Sequence, residues 1–170
     1  MRSAVRIGFV ALAAAFAAGC SAYRWKSAVP ADMRTVSVPT FRNESDVTEF
    51  GAVVAREVLR EFQREGTFRL ASPGDAAVEV QGTIRSNAHG TLSSDRFSRR
   101  HAREYRVSAE ATVSFVDKKS GKVLVNDRKY RAKTSVLVND DLLTAERDAS
   151  GRLAEDFARQ IVDDVLNVKW

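Results

Sequence analysis

A strict alternation of apolar and polar residues from Tyr105 to Phe115 is the feature that most constrains the fold. The apolar positions are Tyr105, Val107, Ala109, Ala111, Val113 and Phe115. A period of two predicts a β-strand with one face turned to a core and the other to water. Residues 117–121, Asp-Lys-Lys-Ser-Gly, are typical of a hairpin turn, because glycine adopts a positive φ at little cost. The chain therefore has to build an antiparallel hairpin with one polar face.

Other segments extend this hairpin into a sheet. Its return strand is predicted from Lys122 to about Val136, with a less regular apolar phase. Alternation over 78–84 predicts another half-buried strand, and short strands are predicted at 35–39 and 68–70. Residues 86–103 lose the alternation and are rich in serine, asparagine, glycine and arginine. We therefore expect a long mobile connection there.

Two segments repeat apolar residues at every fourth position, which is typical of an amphipathic helix. The first helix is predicted from Thr48 to Glu65 and ends at Gly66, which suits a C′ position. The second covers 139–168, and Gly151 weakens its first part, so its stable portion is expected to start near Arg152. The apolar stripes are Phe50, Val54, Val58 and Phe62 in the first helix and Leu153, Phe157, Ile161 and Val165 in the second.

One-sided helices and a one-sided sheet can bury their apolar faces only against each other. The predicted fold class is therefore α+β. We expect a two-layer sandwich, with two amphipathic helices packed on one face of a mainly antiparallel four- to five-stranded sheet. The other face of this sheet is polar and remains available to solvent or to a partner.

The first twenty residues predict an exported, lipid-anchored protein. Arg2 and Arg6 precede an apolar run over 7–18, as in a secretory signal. As a helix this run would span only ~18 Å, against ~30 Å of membrane hydrocarbon. Ala-Ala-Gly before Cys20 resembles the lipobox of bacterial lipoproteins, in which the cysteine is acylated and becomes the first mature residue. An ordinary signal peptide with an incidental cysteine is the alternative.

The predicted organisation follows from this cysteine. It comprises a lipoprotein signal peptide over 1–19, a lipidated cysteine and tether over 20–33, and a single α+β domain over 34–170. By resemblance to Gram-negative lipoproteins, Ser21 favours the outer membrane, with the lipid-anchored domain initially facing the periplasm. The formal net charge is +5, and the signal peptide contributes two of these charges. The remaining +3 is too small for a dedicated nucleic-acid binder.

No constellation of residues for catalysis or metal binding stands out. Cys20 is the single cysteine, and its sulfur is acylated in this prediction. The sequence contains no GxSxG, HExxH or phosphate-binding glycine loop. We therefore predict a non-enzymatic protein without a metal or cofactor. A periplasmic hydrolase that uses His89 or His101, both in the irregular 86–103 segment, is the weak alternative.

Four segments that follow the cysteine resemble a known family in their order. They are TVSVPTFRNES before the first helix, AAVEVQGTI, EYRVSAEATVSFVDKKSGKVL and LAEDFARQIVDDVL. Over Val36–Leu166 the chain is similar to the LptE family of lipopolysaccharide-assembly lipoproteins. The resemblance implies an outer-membrane lipoprotein that partners and plugs a large LptD-like β-barrel translocon, assists its assembly and contacts lipopolysaccharide. A general envelope lipoprotein that binds peptidoglycan or another outer-membrane assembly machine is the alternative.

Basic residues are the remaining chemical signal on the predicted polar surface. Residues 95–106 contain five arginines, and the return strand has three cations at a spacing of two. Such clusters suit phosphorylated sugars, because a guanidinium group can bind phosphate through two hydrogen bonds. The alternative is a solvated face that prevents edge pairing. The candidate lipopolysaccharide-binding residues are Arg99, Arg100, Arg103, Arg106, Lys129, Arg131 and Lys133.

Overall fold

The computed structural model describes residues 29–45, 47–93, 103–138, 142–168 and 170. The strands are β1 (Thr35–Ser37), β2 (Arg42–Asn43), β3 (Arg69–Leu70), β4 (Val78–Ser93), β5 (Arg103–Asp117) and β6 (Val123–Val138). The helices are α1 (Phe50–Glu65) and α2 (Leu142–Leu166), and a 3-10 turn covers Ala31–Met33. No helix in these residues is long and apolar enough to cross a membrane.

The six strands form one mixed sheet with the order β3-β1-β4-β5-β6, and β2 also pairs with β4. β4, β5 and β6 are antiparallel, whereas β1 runs parallel to both β3 and β4, and β2 runs parallel to β4. The prediction of a mainly antiparallel sheet of four to five strands is therefore wrong. The helix α1 connects β1 to β3, and a helical crossover returns the chain to the same end of the sheet. Strand alternation alone contains no information about this direction.

The α+β class is confirmed, and the apolar faces of the helices and the sheet form one core. Phe50 of α1 and Phe157 of α2 are fully buried, with ring centroids 6.5 Å apart. Every residue of the two predicted helical stripes is buried. α1 ends at Gly66, whose φ of 83° and N–H bond to the Phe62 carbonyl oxygen confirm the predicted stop. The helices therefore lie where their apolar period requires.

The second helix lies within its predicted range of 139–168, but its stable part is longer than predicted. α2 starts at Leu142 rather than near Arg152 and passes through Gly151 without interruption. An interior glycine costs a helix about 1 kcal/mol relative to alanine. Ala145 and Ala149 in this first part are buried against the core. Tertiary packing thus offsets the low helix propensity of the glycine.

The predicted mobile connection over 86–103 is wrong at both ends. β4 continues to Ser93 and β5 begins at Arg103, while residues 94–102 lie outside the described residues. The register between β4 and β5 shifts between Ile84 and Ser86. A bulge of this kind reverses which residues face each side. The residues opposite Ala109 and Val107 are then Asn87 and His89, so no apolar alternation marks this part of the strand.

Two bulges in β6 explain its less regular alternation. The pairing with β5 shifts once between Val123 and Val125 and again between Val125 and Arg128. Asp127 lies in the second bulge at a φ of 47°, and its backbone N–H donates to Ser114 Oγ at 2.9 Å. Each bulge shifts the pairing by one residue, so the two together return the later residues to their original faces.

The chain joins the core before its first strand. Val29 is only 2% exposed, and Met33 packs against the same cluster. The Arg34 guanidinium donates to the Val29 carbonyl oxygen at 3.2 Å. The last residues of the predicted 20–33 tether therefore contact the folded domain. Cys20 lies outside the described residues.

Candidate functional site

The face of the sheet opposite the helices, here called the outer face, carries mostly polar side chains from three long strands. On β5, the described side chains that point to the inner face, toward the helices, are buried, as the alternation predicts. The outer face therefore presents hydroxyl, amide and charged groups to whatever approaches it. Its described polar members are Glu79, Gln81 and Thr83 on β4, Arg106, Ser108, Glu110, Thr112 and Ser114 on β5, and Lys129, Arg131, Lys133 and Ser135 on β6.

Four of the seven predicted lipopolysaccharide contacts lie on this outer face. The exposed cations are Arg106, Lys129, Arg131 and Lys133. Arg103 is the first residue of β5, and only its backbone is described. Arg99 and Arg100 lie outside the described residues, so their roles stay predictions.

Arg131 is not an independent cation. Its Nε lies 2.6 Å from Glu110 Oε1, on the residue directly opposite in β5. Opposed residues of an antiparallel pair have close Cβ atoms, which brings these two side chains together. An exposed pair of this kind contributes at most about 1 kcal/mol to stability. Its larger effect is to cancel one positive charge in the middle of the basic strand.

Arg106 and Lys133 form a different arrangement beside this pair. Lys133 is opposite Ser108, and Arg106 is opposite Ser135, so the four residues occupy the corners of one square of the sheet. The backbones of the two diagonal cations are then about 7–8 Å apart, close enough for both side chains to reach one phosphate group. Among the described residues neither cation forms an ion pair. We call these four residues the phosphate square, because two cations without an ion pair among the described residues lie there within reach of one anion.

Lys129 lies apart from the phosphate square. It is opposite Thr112 and four residues from Lys133 along β6. That separation is about 13 Å in a strand, too far for the two lysines to hold one phosphate with short contacts. Lys129 can therefore contribute general positive charge or bind a second anionic group.

Glu79 is the best-buried charged group of the outer face, at 8% exposure. Lys118 Nζ lies 2.8 Å from Glu79 Oε2, Gln81 Nε2 donates to Oε1 at 2.7 Å, and Ser37 Oγ donates to Oε2 at 3.4 Å. The hydrogen bond from Lys118, followed by that from Gln81, lowers the pKa of Glu79 below its ordinary value of 4.5, although burial opposes this shift. The cluster fixes β4 against β1 and against the hairpin turn.

Acid should therefore destabilise the domain partly through Glu79. A carboxyl whose pKa is lower when folded stabilises the native state above its unfolded pKa, and this contribution is lost as the pH falls through the folded pKa. We expect the melting temperature to fall more steeply below pH 4.5 in the native chain than in Glu79→Gln. Glu155→Gln, at an exposed carboxyl of α2, is the matched control. An equally steep fall in Glu79→Gln would contradict the role assigned to this cluster.

Within the described part of the chain, no group of three or more histidine, cysteine, aspartate and glutamate residues could hold a metal ion. His89 lies in β4, where only the backbone is described, and His101 lies outside the described residues. The described side chains of the outer face therefore offer cations, hydroxyl groups and the Glu79–Lys118 ion pair, in which only the glutamate is buried.

A family model for lipopolysaccharide assembly, LptE, matches residues 33–165. The chain belongs to the LptE family. The match includes all six strands and the whole of α1. It also includes all of α2 except the last residue of that helix. It confirms the resemblance inferred from the order of the four sequence segments. No curated protein sequence shows significant similarity to this LptE-family chain.

Solved structures share the fold of this LptE-family domain at low sequence identity. A minor lipoprotein from Acinetobacter baumannii has a TM-score of 0.54 at 14% identity, covering 81% of this chain and 94% of its own. The protein XCC0632 from Xanthomonas campestris has a TM-score of 0.54 at 11% identity, with 82% and 89% covered. A hypothetical protein, CT253, from Chlamydia trachomatis has a TM-score of 0.50 at 15% identity, with 78% and 95% covered. Identities this low show the fold alone.

Proposed function

We propose that this chain is an outer-membrane lipoprotein, anchored by acyl groups on Cys20, that partners and plugs an LptD-like β-barrel translocon in lipopolysaccharide transport. The observation that carries the proposal is the match of residues 33–165 to the LptE family. The role in outer-membrane assembly and the periplasmic starting position of the domain belong to the same proposal.

The outer face supports a role as a plug. The interior of a large outer-membrane barrel is polar, so an inserted domain needs a hydrophilic surface. Here the helices cover the apolar face of the sheet, and the opposite face presents hydroxyls, Gln81 and several charged groups. Such a surface can form hydrogen bonds with a polar wall without exposing the core.

The same face supports direct lipopolysaccharide contact. Lipopolysaccharide carries phosphorylated sugars, and the phosphate square places Arg106 and Lys133 around a space suited to one phosphate group. Arg131 enters this contact less directly, because Glu110 already holds its guanidinium. Lys129 adds charge at a distance, and Arg99, Arg100 and Arg103 keep their predicted roles as flanking contacts.

Affinity purification tests the partnership. We expect the tagged chain, solubilised from membranes in a mild detergent, to copurify with one large β-barrel protein, and its depletion to reduce surface lipopolysaccharide. Cys20→Ser, which removes the acylation site, should leave the chain in the soluble envelope fraction. Recovery of the lipoprotein alone, with surface lipopolysaccharide unaffected by depletion, would contradict the proposal. Retention on purified cell-wall sacculi would instead favour a peptidoglycan-binding lipoprotein.

A further inference from the structure

The strand β6 forms one edge of the sheet, and the direction of its main-chain groups can be derived from the pairing. β5 lies on one side of β6, and no described strand lies on the other. The N–H of Asp117 donates to the Lys122 carbonyl oxygen, so the odd-numbered residues of β5 bond to β6. Their partners in the second half of β6 are even-numbered, such as Tyr130 and Ala132. The odd-numbered residues there direct their N–H and C=O groups away from the sheet.

Side chains of α2 reach part of this edge. Gln160 Nε2 donates to the Arg131 carbonyl oxygen at 3.1 Å, and Arg152 donates to the Ser135 carbonyl oxygen at 3.5 Å. Both contacts involve odd-numbered residues, as the derived direction requires. No described group accepts from the outward N–H groups of Arg131, Lys133 and Ser135. The side chains of Gln160 and Arg152 therefore bond to two of the edge carbonyl groups to which a neighbouring strand could otherwise bond.

The charges along the edge decide which strand could pair with it. Lys129, Arg131 and Lys133 alternate along the edge residues and are all exposed, and of the three Arg131 is already paired with Glu110. A second copy of β6 would bring like charges opposite each other, which is destabilising. A strand with acidic side chains at alternate positions would instead place carboxylates opposite these cations.

We propose that the edge of β6 remote from β5 is a docking site for an extended segment of another protein that carries acidic residues at every second position. The segment adds a strand beside β6, its main chain bonds to the outward groups, and it displaces Gln160 and Arg152 from the edge. This inference does not depend on lipopolysaccharide binding, because the main-chain groups of the edge provide the recognition.

The experiment uses the full chain in a non-ionic detergent and a ten-residue peptide of alternating threonine and glutamate as the probe. We expect saturating peptide to slow amide hydrogen exchange at Arg131, Lys133 and Ser135 by about tenfold or more, because these N–H groups become bonded. The same peptide with lysine in place of glutamate should have no effect. Binding should weaken as salt is raised.

The variant Ser135→Pro distinguishes strand addition from simple charge attraction. Ser135→Pro removes one outward N–H without changing any charge, and proline is tolerated at an edge position whose N–H faces solvent. We expect Ser135→Pro to weaken binding of the glutamate peptide by about tenfold relative to Ser135→Ala, which keeps the N–H. Because Ser135 is itself a corner of the phosphate square, lipopolysaccharide binding is measured on the native chain, where it reports separately on the proposed function. Equal peptide binding by the two variants, or unchanged amide exchange at the edge, would overturn the proposal and leave β6 as an edge closed by α2.

Discussion

Removing the two charges of the phosphate square, as Arg106→Gln together with Lys133→Gln, is expected to weaken lipopolysaccharide binding by at least about tenfold at low salt, which corresponds to 1.4 kcal/mol. The physical reason is that the two cations are diagonal neighbours on the outer face, with no ion pair among the described residues to neutralise them. Two charge-assisted hydrogen bonds to one phosphate are lost together in this variant. Direct titration of the purified chain with lipopolysaccharide measures the effect.

Arg131→Gln together with Glu110→Gln is the matched control on the same two strands. It removes the ion pair as a unit and leaves the net charge unchanged, whereas Arg131→Gln alone would leave the Glu110 carboxylate uncompensated. We expect the effect of this double variant on lipopolysaccharide binding to be several times smaller than that of Lys133→Gln. Changing Lys129, Arg131 and Lys133 together to Glu should weaken binding further, and the difference should diminish as salt is raised. Equal losses for the double variant and Lys133→Gln would contradict the role of the phosphate square, and unchanged binding in all variants would contradict direct contact at this face.

Gly51→Ala is expected to lower the free energy of unfolding by about 1–3 kcal/mol, the usual range for overpacking. Gly51 lies in the first turn of α1, and a Cβ added there would overlap the carbonyl oxygen of Phe41. The Phe41 ring is itself fixed, because it is buried over Gly82 and would overlap a side chain at that position too. The segment before α1 therefore has no room to move away. Chemical denaturation of the purified domain measures the change.

Gly151→Ala provides a control of opposite sign. Gly151 is also in a helix, but a Cβ added there meets no described atom within 4 Å. We expect this variant to raise the free energy of unfolding by about 0.5–1 kcal/mol, because alanine has the higher helix propensity and restricts the unfolded chain. A stabilising effect of Gly51→Ala would contradict the close packing of α1 on the Phe41 segment.

Much of the domain could be predicted from periodicity. The alternation over Tyr105–Phe115 and the two four-residue stripes locate β5, α1 and most of α2, because burial on one side imposes these periods on the sequence. β2 was not predicted, since its two residues, Arg42 and Asn43, are exposed and show no apolar pattern. The parallel direction of β1 could not be predicted either, because apolar and polar residues alternate in the same way in parallel and antiparallel strands.

The sequence placed Lys129, Arg131 and Lys133 together on the polar face of the sheet, as the structure does, but it did not reveal their cross-strand partners. Counting back from the hairpin turn would place Arg131 opposite Ser108. The two bulges in β6 shift the register by two residues, so that Glu110 is opposite Arg131 and Ser108 is opposite Lys133. The shift preserves the face, because two is the period of a strand. The shift nevertheless changes the chemistry, because Arg131 now lies opposite a carboxylate that neutralises it, whereas Lys133 lies opposite a serine.

The sequence by itself determined which face of each helix is buried and which face of the sheet is polar, because hydrophobic burial imposes a local period. The export signal and the acylation of Cys20 stay predictions from a local pattern. Only the tertiary structure decided the direction of the strands, the neutralisation of Arg131 by Glu110, the phosphate square and the position of β6 at the edge of the described sheet. These depend on register and strand order, which arise from contacts between residues far apart in the chain. A bulge of one residue changes such contacts while leaving the composition of the strand unaltered.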